Sequence, residues 1–349
     1  MKEHSIATDS TLREALVKLN ALSGRSMTLM AIDSDGRLAG TLTDGDIRRA
    51  LIAGASLDSP VADAMMRNFS AISDVSNSFI SLRQFKSKGI RLLPVTDANG
   101  RPVRLIDLEA QSAILPLSAL IMAGGRGERL RPLTEDTPKP LIEIGGKAII
   151  DYNVEALLRM GITDITVSAR YLSEQIIRHF SKPVAGGVTV KCVVEEKPLG
   201  TIGALNLVKT FPFDNILVTN SDLLTTISYE DMLMHHISQQ ADITIATINY
   251  TQSVPYAILT TEGSMVTGLE EKPNFSYYAN AGIYIISRRA AGLIAPGERI
   301  DATDLISRTI NRGLRVTFFP VNGTWLDVGS HADLNHAREL MKHHRHLSQ

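Results

Sequence analysis

The stretch LIMAGGRGERLRPLTEDTPKPL, residues 120 to 141, constrains the fold of this chain more than any other segment. A short apolar run ends in Gly124, Gly125 and Gly127, and the cations Arg126, Arg129, Arg131 and Lys139 follow on a loop punctuated by Pro132, Pro138 and Pro140. This pattern reads as a strand whose carboxyl end opens into an anion-binding loop, because backbone without Cβ atoms can bring its N–H groups close to phosphate. The prolines fix φ and stiffen the loop, so little ordering cost remains when an anion arrives. A Walker A loop is excluded, since Gly146-Lys147 is followed by Ala148. The G-G-x-G spacing with Arg126 and Arg129 suits a more highly charged anion than the diester of a dinucleotide, and a nucleoside triphosphate is expected.

A chain of 349 residues exceeds what one hydrophobic core usually supports, so at least two domains are expected. From Leu117 onward, strand-like and helix-like segments alternate as in a parallel sheet. Strands are predicted at 119–122, 165–168, 188–194, 216–219, 243–249 and 282–286, and helices at 151–160 and 173–180. The fold class is therefore α/β, a Rossmann-like mixed and mainly parallel sheet over residues 116–349, with Pro116 in the linker before it.

Residues 1–115 read differently, as a small α+β module with a repeat at about 1–58 and 59–115. Its anchor is AIDSDGR at 31–37 against VTDANGR at 95–101, each a strand, an Asx-Gly turn and a second strand. A Thr11-to-Glu14 capping box opens the helix TDSTLREALVKLNAL, and NSFISLRQFKSKG is its less regular counterpart. The unit resembles a tandem pair of cystathionine-β-synthase (CBS) domains, in which a Gly-x-x-Thr-x-x-Asp pattern contacts ribose and phosphate. Gly40, Thr43 and Asp46 fit that pattern, whereas the second repeat has Arg104, Leu105, Ile106 and Asp107 there. The resemblance implies an adenine nucleotide as partner, with Thr43 and Asp46 as its ligand residues, or else an assembly module giving a homo-oligomer. Thr43 and Asp46 could also serve only as a helix cap.

With 36 basic and 37 acidic residues the net charge is −1, which gives no reason to expect nucleic acid or an anionic membrane as partner. No apolar run approaches the roughly 18 to 20 residues of a bilayer span, and the polar start MKEHSIATDSTLREAL lacks a secretion signal, so a cytoplasmic protein is expected. Cys192, the single cysteine, reads as a structural thiol in a strand, and His343, His344 and His346 as a polar terminus.

Residues 123–134 with Pro138-Lys139-Pro140 resemble the signature of the sugar-1-phosphate nucleotidyltransferases, A-G-G-x-G-x-R-L-x-P-L-T followed by P-K-P. The resemblance implies attack of a sugar phosphate on the α-phosphorus of an NTP, with Mg²⁺ as cofactor. It assigns Ala123, Gly124, Gly125 and Gly127 to the nucleotide. Arg129 would hold the β- and γ-phosphates, and Lys139 the α-phosphate and the incoming phosphate. In-line transfer between two anions requires charge neutralisation, so metal carboxylates are expected, at Asp222 after the strand ILVTN and at Asp327 in the W-x-D-x-G pattern.

The segment EEKPLGTIG at 195–203 resembles the base-recognition segment of that family, with Gly200 the small residue beneath the base and Glu195 at its edge. A carboxylate only accepts, and guanine alone offers two adjacent donors, which favours GTP. A surface glutamate at a strand end is the other reading of Glu195. By the same resemblance Glu271, Lys272, Asn280 and Gly282 would bind the sugar phosphate. Arg170, after the strand TDITVSA, reads as bordering the site or as a solvated residue. The domain order is similar to that of bacterial glucosamine-1-phosphate guanylyltransferases of legionaminic acid biosynthesis. Mannose-1-phosphate guanylyltransferases and glucose-1-phosphate thymidylyl- or uridylyltransferases are the alternatives.

Overall fold

The computed structural model describes residues 1–22, 26–73 and 80–343; His344 and His346, the side chain of His343, and the start of the NSFISLRQFKSKG helix prediction lie outside the described residues. The chain divides into two compact units, Met1–Ile114 and Leu115–Gln349.

In the first unit β1 (Ser5–Ala7) lies parallel to β2 (Thr28–Ile32), which pairs antiparallel with β3 (Leu38–Thr43). Helices α1 (Leu12–Ala21) and α2 (Asp44–Ile52) cover them, packing Leu12, Leu19 and Ile47 onto Leu29 and Leu42. The predicted capping box forms, Glu14 N–H to Thr11 Oγ1 at 3.2 Å and Thr11 N–H to Glu14 Oε2 at 2.8 Å. The second half repeats the scheme in reduced form: β4 (Ile72–Ser73) beside β5 (Leu92–Thr96), β5 antiparallel to β6 (Pro102–Asp107), and a short α3 (Arg83–Ser87).

The two hairpins carry the same irregularity and the same turn. Each has a bulge, at Ala31/Ile32 and at Val95/Thr96. In each turn an aspartate accepts two backbone N–H groups, Asp33 from Asp35 and Arg37, Asp97 from Asn99 and Arg101. Gly36 and Gly100 supply the left-handed residue, φ +79° and +77°. Leu38 N–H also bonds Gly100 O at 2.9 Å, tying one hairpin turn to the other.

The second unit is built on a seven-stranded sheet. Strand β7 (Leu117–Ala123) lies between β8 (Asp164–Ala169) and β10 (Asn215–Asn220), both parallel to it, and β9 (Lys191–Val194) extends the parallel half. A strand covered on both faces needs a continuous apolar sequence, which Leu117–Ala123 provides. Helices α4 (Ile149–Arg159) and α5 (Ser173–His179) alternate with these strands. Beyond β10 the short strand β11 (Leu223–Thr225) and α6 (Tyr229–Ser238) lead to β12 (Ile243–Ser253).

A hairpin of β13 (Ile258–Glu262) and β14 (Met265–Glu270) follows, and then β15 (Asn274–Ser287), antiparallel to both β10 and β12. After α7 (Ala302–Asn311), β16 (Val316–Pro320) closes the sheet edge, β17 (Trp325–Asp327) pairs with β11, and α8 spans His331–His343. The strands predicted at 243–249 and 282–286 run longer, because their outer halves pair with each other as an exposed ribbon that carries no burial pattern to read. The strand predicted at 188–194 begins only at Lys191, where pairing with β8 begins. Among the described residues no helix is long and apolar enough to cross a membrane.

One buried histidine ties α6 to the sheet. His236 is 2% exposed, with Nδ1 2.7 Å from Thr244 Oγ1 and Nε2 3.2 Å from Asn215 Oδ1. Burial lowers its pKa from 6.5 to about 4, against the opposing charge of Asp242. The unfolded chain therefore takes up the proton first, and stability present above pH 6.5 is lost as pH falls toward about 4. Thermal melts across that window are expected to fall more steeply for the wild type than for His236→Gln; parallel curves would remove His236 as the cause.

Candidate active site

The site is assembled at the carboxyl ends of the parallel strands, where an open α/β sheet presents its ligands. A cavity of about 320 Å³ is lined by Gly124 and Gly125 after β7, Arg170 after β8, Glu195 after β9 and Asn220 to Asp222 at the end of β10. Lys139, Pro198 to Thr201 and Arg299 complete the wall.

Each glycine of the opening loop has its own reason. A Cβ on Gly124 would lie 2.9 Å from Glu195 Oε1, and one on Gly127, at φ +63°, would lie 2.9 Å from Thr134 Cγ2 and 3.0 Å from Lys139 Cβ. Gly127 thus lets the loop fold onto the segment that carries Lys139, where Thr134 Oγ1 donates to Gly127 O at 2.8 Å. A Cβ on Gly125 would meet nothing within 4 Å, which leaves its backbone open to the cavity. Gly200, at φ +80°, is fixed by packing: a Cβ there would collide with the carbonyl oxygen of Ile300 and come within 2.7 Å of its carbon.

Lys139 is the electrostatic centre. Its side chain is only 11% exposed, and its ammonium donates to Asp222 Oδ2 and lies 3.7 Å from Asp327 Oδ1. The two carboxylates are brought together by β11 and β17, whose register pairs Leu223 with Asp327, and by the bond from Val328 N–H to Asp222 O at 3.0 Å. Asn153, which sequence patterns did not single out, donates from α4 to the carbonyls of Ser221 and Leu223 on either side of Asp222, at 3.4 and 3.1 Å.

Asp222 Oδ1 and Asp327 Oδ1 are buried without a hydrogen-bond partner. Burial raises the pKa of Asp327, the negative charge of Asp222 adds to this, and Lys139 and Arg129 oppose it. Two facing carboxylates with orphaned oxygens are a donor set suited to Mg²⁺, which commonly takes one or two protein carboxylates together with substrate phosphates. The residues present fit that ion. Among the described residues no group of three or more His, Cys, Asp or Glu could hold a metal by itself.

Several residues stand elsewhere than the sequence suggested. Glu195 is no surface glutamate: it is 5% exposed, with Oε1 accepting from the Ser168 hydroxyl and Oε2 from Leu199 N–H at 3.3 Å. Arg170 is half-buried and lines the cavity, because the tight turn after β8 holds it beside Gly124. Arg129 lies outside the lining; its guanidinium rests on Gly329, where a Cβ would come within 2.9 Å of Nη2. Ala123 is buried at the end of β7.

Gly282, at φ +74°, packs against Asn220, while exposed Asn280 accepts from Gly282 N–H at 3.0 Å and donates to Tyr284 Oη at 2.8 Å. Glu271 and Lys272 are exposed on the turn between β14 and β15, outside the cavity lining. Sequence patterns also missed Thr201, Asn220 and Arg299, which belong to no phosphate or metal motif.

In the first unit Thr43 lines a separate cavity of about 480 Å³ with Thr28, Thr41, Met66, Phe69 and Arg91. Asp46 does not line it: its carboxylate accepts from Thr43 N–H at 2.8 Å and Oγ1 at 2.6 Å and pairs with Arg49, so it caps α2.

The chain belongs to the nucleotidyl transferase family, which it matches over residues 118–344, and it carries a CBS domain matched over residues 2–53. It is 31% identical over 229 residues to a mannose-1-phosphate guanyltransferase of Debaryomyces hansenii and 32% identical over 229 residues to one of Schizosaccharomyces pombe. Each match covers 62% of this chain and spans only 62% of the relative. The crystal structure of HddC from Yersinia pseudotuberculosis, complexed with GMP-PN, aligns with a TM-score of 0.51 at 24% identity, over 64% of this chain and 99% of that one, a likeness of fold.

The contrast between two glycines is directly testable. Gly200→Ala is expected to cost about 2 to 4 kcal/mol in denaturant unfolding, from left-handed strain and overpacking. Gly125→Ala is expected to stay within about 0.5 kcal/mol of wild type. Equal losses would contradict the packing role of Gly200.

Proposed function

We propose that this chain is a sugar-1-phosphate guanylyltransferase, taking GTP and a hexose 1-phosphate, with glucosamine 1-phosphate the favoured acceptor. The observation that carries the reading is that one cavity holds the open backbone of Gly125, the Lys139–Asp222 pair and the buried Glu195. An oxygen of the sugar phosphate attacks the α-phosphorus, the bond from that phosphorus to the bridging oxygen breaks, and pyrophosphate leaves with the electron pair. Lys139 steadies the α-phosphate and the incoming phosphate, while the amides of Gly124 and Gly125 receive phosphate oxygens. Mg²⁺, held by Asp222 and Asp327, would neutralise charge on the phosphates.

Glu195 supports guanine: its oxygens, already accepting from Ser168 and Leu199, have lone pairs left for N1–H and the 2-amino group. The names of the Debaryomyces and Schizosaccharomyces relatives agree on guanylyl transfer and favour mannose 1-phosphate as the second acceptor reading. Glucosamine 1-phosphate rests on the domain order, a CBS module before the transferase unit. The product would serve surface glycan or nonulosonic acid synthesis in the cytoplasm. The cavity lined by Thr28, Thr41 and Thr43 is proposed to take an adenine nucleotide as regulator.

Pyrophosphate release, measured over four NTPs and a panel of sugar 1-phosphates with Mg²⁺, is expected to be greatest with GTP and glucosamine 1-phosphate. No release with any pair would leave a nucleotide sensor with an inactive transferase unit, and preference for UTP or dTTP would overturn the Glu195 argument. Asp222→Asn is expected to lower turnover on the order of 10²-fold. For the regulatory cavity, AMP or ATP is expected to raise the melting temperature of the wild type and less so of Thr41→Val, which leaves the Thr43–Asp46 cap intact. No shift in the wild type would exclude the nucleotide.

A further inference from the structure

The cavity contains three cationic side chains, and two of them have roles set by their surroundings. Lys139 is paired with Asp222, and Arg170 stands beside Gly124, with its Cβ 3.6 Å from where a Gly124 Cβ would be. Arg299 is the third, and no sequence motif assigns it.

The segment around it is fixed on every side. Glu298 receives two bonds from Arg308, at 2.6 and 3.0 Å, and its carbonyl packs on Gly203. Ile300 N–H donates to Leu199 O at 3.0 Å, and Ile202 N–H to Ile300 O at 3.3 Å. Thr201 N–H donates to Asp301 Oδ1 at 2.8 Å, and Ala302 N–H to Thr201 Oγ1 at 2.9 Å. Between these anchors Arg299 is exposed, lines the cavity and forms no hydrogen bond or ion pair with any described residue. A guanidinium that lines a cavity from an anchored backbone segment, with no carboxylate against it among the described residues, is available to an anion.

Two anions must meet in this cavity under the proposed function, on which this inference rests. The nucleotide phosphates have the glycine loop, with Arg170 beside it, and Lys139 is shared between the two phosphates, while the further cation expected for the sugar phosphate, Lys272, lies outside the lining. We infer that Arg299 binds the phosphate of the sugar 1-phosphate, with the two N–H groups of its fork donating to two phosphate oxygens. It is a binding residue for the acceptor's phosphate, reached from the segment before α7.

Steady-state kinetics with each substrate varied in turn tests this. Arg299→Ala is expected to raise KM for the sugar 1-phosphate about 10- to 100-fold, the loss of one charge-assisted pair, with KM for GTP within about twofold. Arg299→Lys is expected to recover part of the loss, since it restores the charge without the fork. A rise confined to KM for GTP would assign Arg299 to the nucleotide and overturn the inference, as would unchanged constants for both substrates. If wild type releases no pyrophosphate with any substrate pair, it is the proposed function that fails. In that case direct titration of glucosamine 1-phosphate into wild type and Arg299→Ala still decides the phosphate contact: equal affinities, or no binding to either, would overturn it.

Discussion

The contact on which the site depends is Lys139 set between Asp222 and Asp327. The negative charge of Asp222 adds to the cost of ionising Asp327, and the Lys139 ammonium between them offsets that repulsion. The upward pKa shift of Asp327, from burial first and from Asp222 second, shows that the compensation is incomplete. The orphaned Oδ1 atoms point the same way: the backbone holds both carboxylates where the protein alone leaves part of their capacity unused. Much of the surrounding structure maintains this arrangement. Gly127 lets the loop fold onto the Lys139 segment, Asn153 braces the carbonyls flanking Asp222, and the β11–β17 pair aligns the second carboxylate.

How far the chain could be read in advance depended on whether a residue's role is local. The parallel half of the sheet was legible because strands buried on both faces must be continuously apolar, as 117–123 and 216–219 are. The glycine loop was legible as a tight loop because Gly124 and Gly127 let the chain close onto Glu195, Thr134 and Lys139, where a Cβ would clash. The paired Asp-Gly and Asn-Gly turns of the first unit were legible because the αL residue and the Asx bonds lie within five positions. The exposed ribbon of β12 and β15 was not, since neither strand there has a buried face. Asn153 and Arg299 were missed for another reason: their positions depend on contacts between segments far apart in sequence, which no spacing rule records.

Gly200 and Asp46 show how one residue type satisfies two explanations. A glycine in a base-recognition segment invites a functional account, yet the Ile300 backbone already demands it. An aspartate three residues after a threonine matches a nucleotide-binding pattern and also a helix cap, and the hydrogen bonds of Asp46 are those of the cap. In both cases the structural demand is sufficient in itself, so a ligand role needs evidence of another kind. Glu195 is the opposite case. Its known contacts, Ser168 and Leu199 N–H, could be satisfied by a neutral acceptor, so packing does not by itself explain a glutamate in the cavity lining.

Charge balance gives the same answer for the cavity as a whole. Its lining offers Lys139, Arg170 and Arg299 against Glu195 and Asp222, a small positive excess. A phosphate monoester carries about −1.5 to −2 near neutral pH, so a sugar phosphate alone exceeds that excess before a triphosphate is counted. A site proposed to bring both anions together would therefore import positive charge, and the carboxylates of Asp222 and Asp327, which worsen the balance when counted singly, would provide the means to hold it. Under the proposed function the Lys139–Asp222 pair and Arg299 belong to one scheme. Lys139 has a carboxylate partner in Asp222, whereas Arg299 has none among the described residues.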